Sequence, residues 1–491
     1  MVRPVFREQC NGWRALCPCI RTPPQTAQLD DALNSIGFTP AHRTILLLII
    51  LGGLFDAFEQ NSIGIVGPVL RQSWGLTATQ IGLLNTVTFS LAALGRLLSG
   101  LVGDRYGRRV MLVTDLMLFT LGAIICALAP TFTVLLIGRA IVGFGLGGEI
   151  SIAVTMLAEF CSARSRGTVV GLLNVGAGGL GNFLAPAFGL LVFSVFSGPD
   201  RWRWLFGCLV LPALLGIFYR RIVPETPRFL LSRGDVAQTN LVLAKLASGK
   251  LRGTPGSIHE YVSPSDTGAP LRSAFQFAEI FSGALAKRTT VGAFAVWMTY
   301  GAQISVLTLM PTILVAQGYT ITKSLTFTMV MQGGSLLGAI AASIFGYRLP
   351  RKTVLFFGSI LACLAALSFG FLAHTVFLIM LCGAAFQFFV LLLNTTIWIY
   401  APELYPTRVR AFGTAFILAT GTLAGAIMPL VSGRLFDTYG MVGVFGLIAI
   451  MYTIFAGCAL LGPETFGKSL ENLATPVDEN LQAGSAATRL S

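Results

Sequence analysis

Ionisable side chains inside long apolar stretches are the residues of this sequence that could carry chemistry. Asp56 and Glu59 lie in an apolar run that begins near Thr44, and Arg139 and Glu149 lie in a later one. Charges are costly in a hydrocarbon medium, so such residues are typical of ion pathways, ligand sites or paired partners. A carboxyl beside Arg stays ionised, and it takes up a proton when that partner is lost in a drier environment. We therefore predict proton transfer in this group, with Asp56 as the proton carrier.

Helix geometry indicates which of these groups meet. Asp56 lies thirteen residues after Arg43, or about 20 Å along a helix. Arg139 lies seven residues into a run that enters from the opposite side, or about 10 Å deep. Across a hydrocarbon layer of about 30 Å the two depths agree. We predict that Asp56 pairs with Arg139, and that Glu59, one turn further on, shares the proton or contacts substrate; a fixed structural ion pair is the alternative.

Two other charged residues lie in the same runs. Glu149 is about 15 Å beyond Arg139 along its helix, which predicts a gate or relay, with a structural partner as the alternative. Arg96 lies eight residues before Asp104, and we interpret it as a snorkelling or paired side chain.

The composition indicates what surrounds these groups. The 491 residues are 54% hydrophobic and 11% charged, with a mean hydropathy of +0.76. Apolar stretches of about twenty residues recur between Thr44 and Leu461, each long enough to cross a bilayer as a helix. We count twelve, and their unbroken apolar runs disfavour a transmembrane barrel, which alternates polar and apolar residues. The lipid bilayer is therefore the expected solvent of this chain.

The distribution of cations predicts the orientation. With a cytoplasmic N-terminus, the two tails and the even-numbered links hold 27 of the 34 Lys and Arg. This positive-inside asymmetry predicts that both termini are cytoplasmic. It also accounts for the net charge of +13 without a nucleic-acid partner.

The chain divides into two similar halves. We expect a cytoplasmic tail over 1–42, a six-helix bundle over 43–222, a link with short amphipathic helices over 223–287, a second bundle over 288–462 and a tail over 463–491. Three segments recur in order: 103–109 with 346–352, 159–166 with 403–410, and 224–226 with 463–465. The predicted fold is an all-α membrane protein with twelve transmembrane helices in two pseudo-symmetric bundles. Such bundles can rock around a midplane cavity.

Charged residues at matched positions of the two halves predict a gate. We expect cytoplasmic salt bridges that hold an outward-open state and break on inward opening. The candidate gating residues are Asp104, Arg108, Glu149, Glu159, Arg166, Glu403 and Arg410.

Polar and aromatic residues within the spans are the candidates for substrate contact. Together they suit a small, partly apolar solute that forms hydrogen bonds, and Arg139 would favour an organic anion. The candidates are Gln60, Asn61, Asn174, Asn182, Trp297, Tyr300, Gln303, Gln332, Gln387, Asn394 and Trp398. Helix–helix hydrogen bonds use the same residue types.

Several motifs resemble those of the major facilitator superfamily. The segment 100–109 resembles its signature between helices 2 and 3, and Arg139-Ala-Ile-Val-Gly-Phe-Gly145 resembles its helix 4 signature. The segments 224–228 and 463–468 are similar to the pair that ends each half of sugar porters, and 401–410 is similar to the metabolite:proton symporter branch. The resemblance implies alternating access, with an acid in helix 1 and Arg139 in proton coupling. It also implies the substrates of niacin, aromatic-acid and organic-ion carriers.

We therefore predict a proton-coupled symporter for a small organic metabolite, either an aromatic or nicotinate-like carboxylate or a sugar-like solute. An uncoupled facilitator or an antiporter is an alternative, and a transporter-like nutrient sensor is an alternative of another class. An enzyme is disfavoured, because the sequence has no Gly-rich phosphate loop and no metal spacing among its three His. We expect no cofactor other than the proton, no metal, and a monomer in the cytoplasmic membrane.

Overall fold

The regular structure is helical throughout the part of the chain that is described. The computed structural model describes residues 25–211, 213–253, 259–263, 277–345, 348–373, 375–405 and 409–465, where it has sixteen α-helices and no strand. The helices of the first half are α1 (Gln25–Ile36), α2 (Pro40–Trp74), α3 (Ala78–Tyr106), α4 (Arg108–Leu128), α5 (Phe132–Phe160), α6 (Ala163–Asn174), α7 (Asn182–Val195), α8 (Arg201–Cys208) and α9 (Ala213–Ile222). A π-helical turn, Val175–Gly181, joins α6 to α7.

The link and the second half supply the remaining helices. These are α10 (Pro227–Ser232), α11 (Val236–Ser248), α12 (Gly283–Ala316), α13 (Ile321–Phe345), α14 (Arg351–Leu372), α15 (Val376–Glu403) and α16 (Arg410–Leu461), with a 3₁₀ turn at Phe277–Phe281 before α12. Residues 1–24 of the predicted N-terminal tail and 466–491 of the C-terminal tail lie outside the described residues.

Twelve crossings of a membrane follow from these helices. Among the described residues, ten helices are long and apolar enough to cross a membrane. The longest, α16, is two helices in sequence, because Gly440 takes a non-helical conformation with φ 63° and ψ −150° in its middle. The helices α8 and α9 together form the sixth crossing along the chain. The count predicted from the apolar runs is therefore confirmed.

Threonine residues fix where several of the spans begin. Thr77 accepts a hydrogen bond from the backbone of Gln80 and forms a capping box at the start of α3. Thr131 and Thr375 accept from the backbone amides three residues on, at the starts of α5 and α15. Each cap satisfies an amide that the first turn of a helix leaves free. The start of α5 in one half thus matches that of α15 in the other.

Close helix packing within each half depends on small residues. Gly147 of α5 lies against the carbonyl oxygen of Ala92 on α3, and Gly334 of α13 lies against that of Ala384 on α15, with no room for a Cβ at either glycine. Lipid gives helices little hydrophobic reason to associate, so this close backbone approach supplies the packing energy.

The halves meet along α2 with α12, α3 with α16, and α7 with α13. We call the end of the molecule that carries α10 and α11 the link face, and the opposite end the far face. At the far face, Asp437 of α16 accepts hydrogen bonds from the backbone amides of Ala78 and Thr79, at 3.3 and 3.0 Å, and from the Thr79 hydroxyl, at 2.7 Å. Near the same face, Gly64 of α2 packs on the carbonyl oxygen of Leu307 on α12. The two halves are therefore closed against each other there.

Candidate transport site

A cavity of about 140 Å³ lies between the two halves. Helices of both halves line it, and its polar lining residues are Asp56, Gln60, Arg96, Glu149, Asn174, Asn182, Tyr219, Tyr300, Gln303, Asn394, Trp398 and Thr422. Phe89, Ile304 and Leu391 are among its apolar lining residues. Concave sites of this kind, apolar with a few placed polar groups, are typical of small-molecule binding.

Two carboxyl groups meet in the wall of the cavity. Asp56 of α2 and Glu149 of α5 are 4% and 2% exposed, and their carboxyl groups interact with each other. Gly52, one turn before Asp56, makes room for them, because a Cβ there would lie 2.9 Å from Glu149 Oε1 and would overlap the Tyr219 hydroxyl. Two carboxyl groups in contact can be hydrogen-bonded only if one of them carries a proton. Such a pair can hold one proton between its two carboxyl groups.

Arg96 is the one cation among the described residues that line the cavity. It extends from α3, and its Nη1 donates a 2.8 Å hydrogen bond to Thr422 of α16 in the other half. Its charge acts on both Asp56 and Tyr300. The sequence left Arg96 as a snorkelling or a paired side chain; the structure places it at the cavity, hydrogen-bonded to Thr422 of the other half.

The predicted pairing of Asp56 with Arg139 is wrong. Arg139 forms its ion pair with Glu59, and its Nη1 and Nε also bond to Ser62, at 3.2 Å, and Thr88, at 3.0 Å. Glu59 and Arg139 are both 0% exposed and are not among the residues that line the cavity. Because the two acids differ by only about 4.5 Å along α2, an estimate of depth could not separate them. The Arg139 side chain therefore does not offer its charge to a solute in this cavity.

The structure brings seven of the eleven predicted substrate residues to the cavity. They are Gln60, Asn174, Asn182, Tyr300, Gln303, Asn394 and Trp398. Asn61, Trp297, Gln332 and Gln387 do not line it, so a direct substrate contact is not supported for these four. Asn61 is an example: its amide group is used for hydrogen bonds within the bundle, to Asn182 at 2.8 Å and to the carbonyl of Ala57 at 2.8 Å.

Hydrogen bonds hold the cavity residues in place. Trp398 Nε1 donates to the Tyr300 hydroxyl, and Asn394 Nδ2 donates to Gln303 Oε1, both at 2.5 Å. Asn174 of α6 donates to Thr395 of α15 at 2.9 Å, which links the halves. The aromatic pair and the amide pair form the wall of the cavity on the side of the second half.

The link face carries one ionic network in each half, and the two networks match. In the first half, Arg108 pairs with Glu159 at 3.2 Å, and the Thr226 hydroxyl donates to Glu159 at 2.5 Å. Glu225 accepts hydrogen bonds from the backbone amides of Arg108, Arg109 and Thr226. The pKa of Glu225 is raised overall, because burial raises it by more than these amide bonds lower it.

The second half repeats this arrangement. Arg351 pairs with Glu403 at 3.2 Å, the Thr465 hydroxyl donates to Glu403 at 2.5 Å, and Glu464 accepts from the amides of Arg351, Lys352 and Thr465. The described bonds of each network join parts of one half and do not cross between halves. The predicted gating side chains of Asp104, Arg166 and Arg410 lie outside what is described, and Glu149 lies in the cavity wall instead of at the link face.

Two functional candidates in the first half were not found from the sequence. Tyr219 of α9 lines the cavity beside Glu149, and Asp115 of α4 is a fully buried carboxyl. Asp115 has a signal in the sequence, because it is a lone acid inside the apolar run of α4. Tyr219 has none, since tyrosine is common near membrane interfaces.

Comparison with known proteins identifies the family. Residues 52–476 match the family described as "Sugar (and other) transporter". The chain belongs to this family. Its members include transporters of small metabolites, and the match extends over both halves and the link.

Relatives in this family are similar along almost their whole length. The chain is 32% identical over 450 residues to the niacin transporter of Acinetobacter baylyi, covering 91% of this chain and 99% of the relative. It is 29% identical over 424 residues to the gallate transporter of Pseudomonas putida, covering 84% and 90%. The chain is accordingly a membrane transporter of small metabolites and not an enzyme.

Solved structures show the same fold. A partially occluded inward-open structure of the xylose transporter of Escherichia coli superposes with a TM-score of 0.71 at 19% identity, covering 87% of this chain and 99% of that one. A crystal structure of a D-xylose–proton symporter gives a TM-score of 0.69 at 19% identity, with the same coverage. The prediction of a major facilitator fold is confirmed.

Proposed function

We propose that this transporter couples the movement of a proton to the uptake of a small aromatic carboxylate. The observation that carries the proposal is the contact between Asp56 and Glu149 in the same cavity as Arg96. A proton site and an anion site then lie side by side, which is the arrangement that symport of an acid requires.

The charges of the cavity suggest how the two sites interact. Arg96 balances one ionised carboxylate of the pair, and the other carboxyl stays neutral because an uncompensated buried charge is costly. A substrate carboxylate that binds Arg96 neutralises the charge of Arg96 in place of the carboxylate of the pair. The remaining carboxylate then lowers its energy by taking up a proton. Binding of the anion and binding of the proton are thereby coupled.

The walls of the cavity suit a flat, single-ring acid. Phe89, Tyr300 and Trp398 supply aromatic surface, and Gln60 and Asn182 supply hydrogen-bonding groups. Aromatic side chains favour stacked or edge contacts with another ring. Niacin and gallate, the solutes named for two relatives, are each a six-membered ring that carries a carboxylate. We extend this substrate class to the present chain.

The proposal also includes an orientation. We place the link face in the cytoplasm of a cell whose cytoplasmic membrane holds the protein, because the cations cluster on that side. A monomer suffices, since the two halves of one chain line the cavity. Alternating access then requires the far-face contacts of α2 with α12 and α3 with α16 to open.

Uptake into proteoliposomes tests the proposal. Labelled nicotinate and gallate are supplied with and without an inward proton gradient, and xylose serves as the solute without a carboxylate. We expect nicotinate or gallate to accumulate above equilibrium only with the gradient. Equilibration independent of the gradient would support a facilitator, and accumulation driven by an outward proton gradient would support an antiporter; either result would contradict symport.

A variant locates the proton site. Asp56→Asn is expected to abolish accumulation while retaining exchange of labelled for unlabelled substrate, because exchange needs no net proton movement. Unimpaired accumulation by Asp56→Asn would exclude Asp56 as the carrier.

A further inference from the structure

A third carboxyl lies behind the cavity pair. Asp115 of α4 is 0% exposed, and its Oδ1 accepts a 2.8 Å hydrogen bond from Ser99 of α3. Its Oδ2 is buried and has no hydrogen-bond partner among the described residues. The carboxyl group lies against Gly148, the residue before Glu149, where any Cβ would overlap it. The glycine thus lets the Asp115 carboxyl pack directly on α5, beside the residue that precedes Glu149.

Asp115 has no ion pair with a cation among the described residues. The charge of Asp115 acts on Glu149 of α5 and on Asp56 of α2, and both of these residues are acids. From α3, Ser99 donates its hydrogen bond, whereas Arg96 is bonded to Thr422. Three further polar groups on neighbouring helices have other partners: Arg139 of α5 pairs with Glu59, Tyr219 of α9 donates to the carbonyl of Leu48, and Arg203 of α8 donates to carbonyls at the far end of α4.

Charge balance sets the number of protons that the group holds. Among the described residues, the cavity that Asp56 and Glu149 line holds one cation, Arg96, and the charges of Glu59 and Arg139 cancel each other. A buried charge without a partner is strongly disfavoured, so one of the three carboxyls is ionised and two carry protons. When a substrate anion neutralises Arg96, the last carboxyl is protonated as well.

We propose that Asp115 is a third proton-binding residue of the transporter, which exchanges a proton with Glu149. The step moves a proton from the neutral Glu149 carboxyl to the Asp115 carboxylate, leaving Glu149 ionised and the net charge unchanged. Asp115 lies seven residues from the link-face end of α4, or about 10 Å, so it carries the proton away from the cavity toward that face. This inference rests on the proposed proton coupling.

Substitutions at Asp115 and Ser99 test the proposal in the proteoliposome assay. Asp115→Asn is expected to lose gradient-driven accumulation while retaining substrate exchange, and Asp115→Glu is expected to restore accumulation. Ser99→Ala removes the bond that favours the ionised Asp115, so the pH dependence of uptake is expected to shift to higher pH. Thr120→Val is the matched control, because Thr120 is buried on the same helix and its hydroxyl bonds only its own backbone, at Leu116.

The outcomes separate this inference from the proposed function. If the parent protein shows no gradient-driven accumulation, proton coupling itself fails. If the parent accumulates substrate and Asp115→Asn does so equally with an unchanged pH profile, only the role of Asp115 fails. Joint loss of exchange and accumulation in Asp115→Asn, with Ser99→Ala unchanged in pH dependence, would make Asp115 a structural residue and would also overturn the inference.

Discussion

Buried charges in the first half differ in what they contact, and substitution should separate them. Glu59 and Arg139 form a closed pair away from the cavity, whereas Asp56 and Glu149 face it. Both side chains of the closed pair are fully enclosed by protein. The cavity pair is open to solute.

Removing one member of the closed pair should destabilise the fold. Glu59→Gln leaves Arg139 buried and uncompensated, so we expect the free energy of unfolding to fall by about 3–5 kcal/mol. Thermal unfolding of the purified protein in detergent measures this loss. The double variant Glu59→Gln with Arg139→Gln removes both charges and should recover part of the stability. A single variant as stable as the parent would contradict the enclosed geometry.

Arg96 should determine affinity for the anion. Arg96→Gln removes the one cation that lines the described cavity. We expect the Kd for nicotinate to rise at least about tenfold, because the substrate loses a charged hydrogen bond. Equilibrium binding to purified protein measures the change. Arg71→Gln, at the end of α2 and outside the cavity lining, is the control. Equal affinities of Arg96→Gln and the parent would place the anion elsewhere.

At the scale of elements, the N-terminus of α3 acts as a contact between the halves. Asp437 of α16 caps it, and a carboxylate is favoured there both as a hydrogen-bond acceptor and by the helix dipole. The cap joins two helices from different halves at the far face. It should therefore favour the state that is closed on that side.

Loss of this cap should open the far face. Asp437→Ala removes three hydrogen bonds, and we expect it to weaken the closed state by about 1–2 kcal/mol and shift the population toward the open one. Spin labels at Gln72 and Tyr439, in a chain with its native cysteines replaced, would report a longer distance. Thr438→Ala is the control, because that hydroxyl bonds only Arg434 on its own helix. An unchanged distance distribution would exclude the cap as a latch.

The whole molecule is organised as a repeat, and the link-face networks make this visible in atomic detail. Glu225 and Glu464 occupy equivalent positions, each accepting from two amides at the start of a span and from the following Thr. Because Glu225 and Glu464 make equivalent hydrogen bonds, we expect their substitution to have equivalent effects on stability. The repeat thus extends from sequence motifs to hydrogen bonds.

Matched substitutions test the equivalence. Glu225→Gln and Glu464→Gln each remove a charged acceptor from backbone amides, and we expect each to lower the free energy of unfolding by about 1–3 kcal/mol. Thermal unfolding in detergent measures both. Glu260→Gln, at an exposed link residue, should have no effect. A large effect at one position and none at the other would contradict the symmetry.

Much of this architecture could be predicted from the sequence, because its signals are local. Runs of apolar residues predict spans, cation placement predicts topology, and the recurring Pro-Glu-Thr segments predict the repeat. The site could be predicted only in part. The residue types at Asp56, Tyr300 and Trp398 mark them as candidates, but Asn61 and Gln387 have the same character and lie outside the cavity lining.

The sequence by itself determined that the chain crosses a membrane twelve times, in two related halves, with charges placed inside its spans. Tertiary structure alone decided that Arg139 meets Glu59, that Arg96 faces the cavity and that Asp115 lies behind Glu149. The reason is physical. Rise per residue gives the depth of a side chain, but its partner depends on how each helix is rotated about its axis. Close packing between small residues on neighbouring helices sets that rotation, and the hydropathy of the sequence does not predict it.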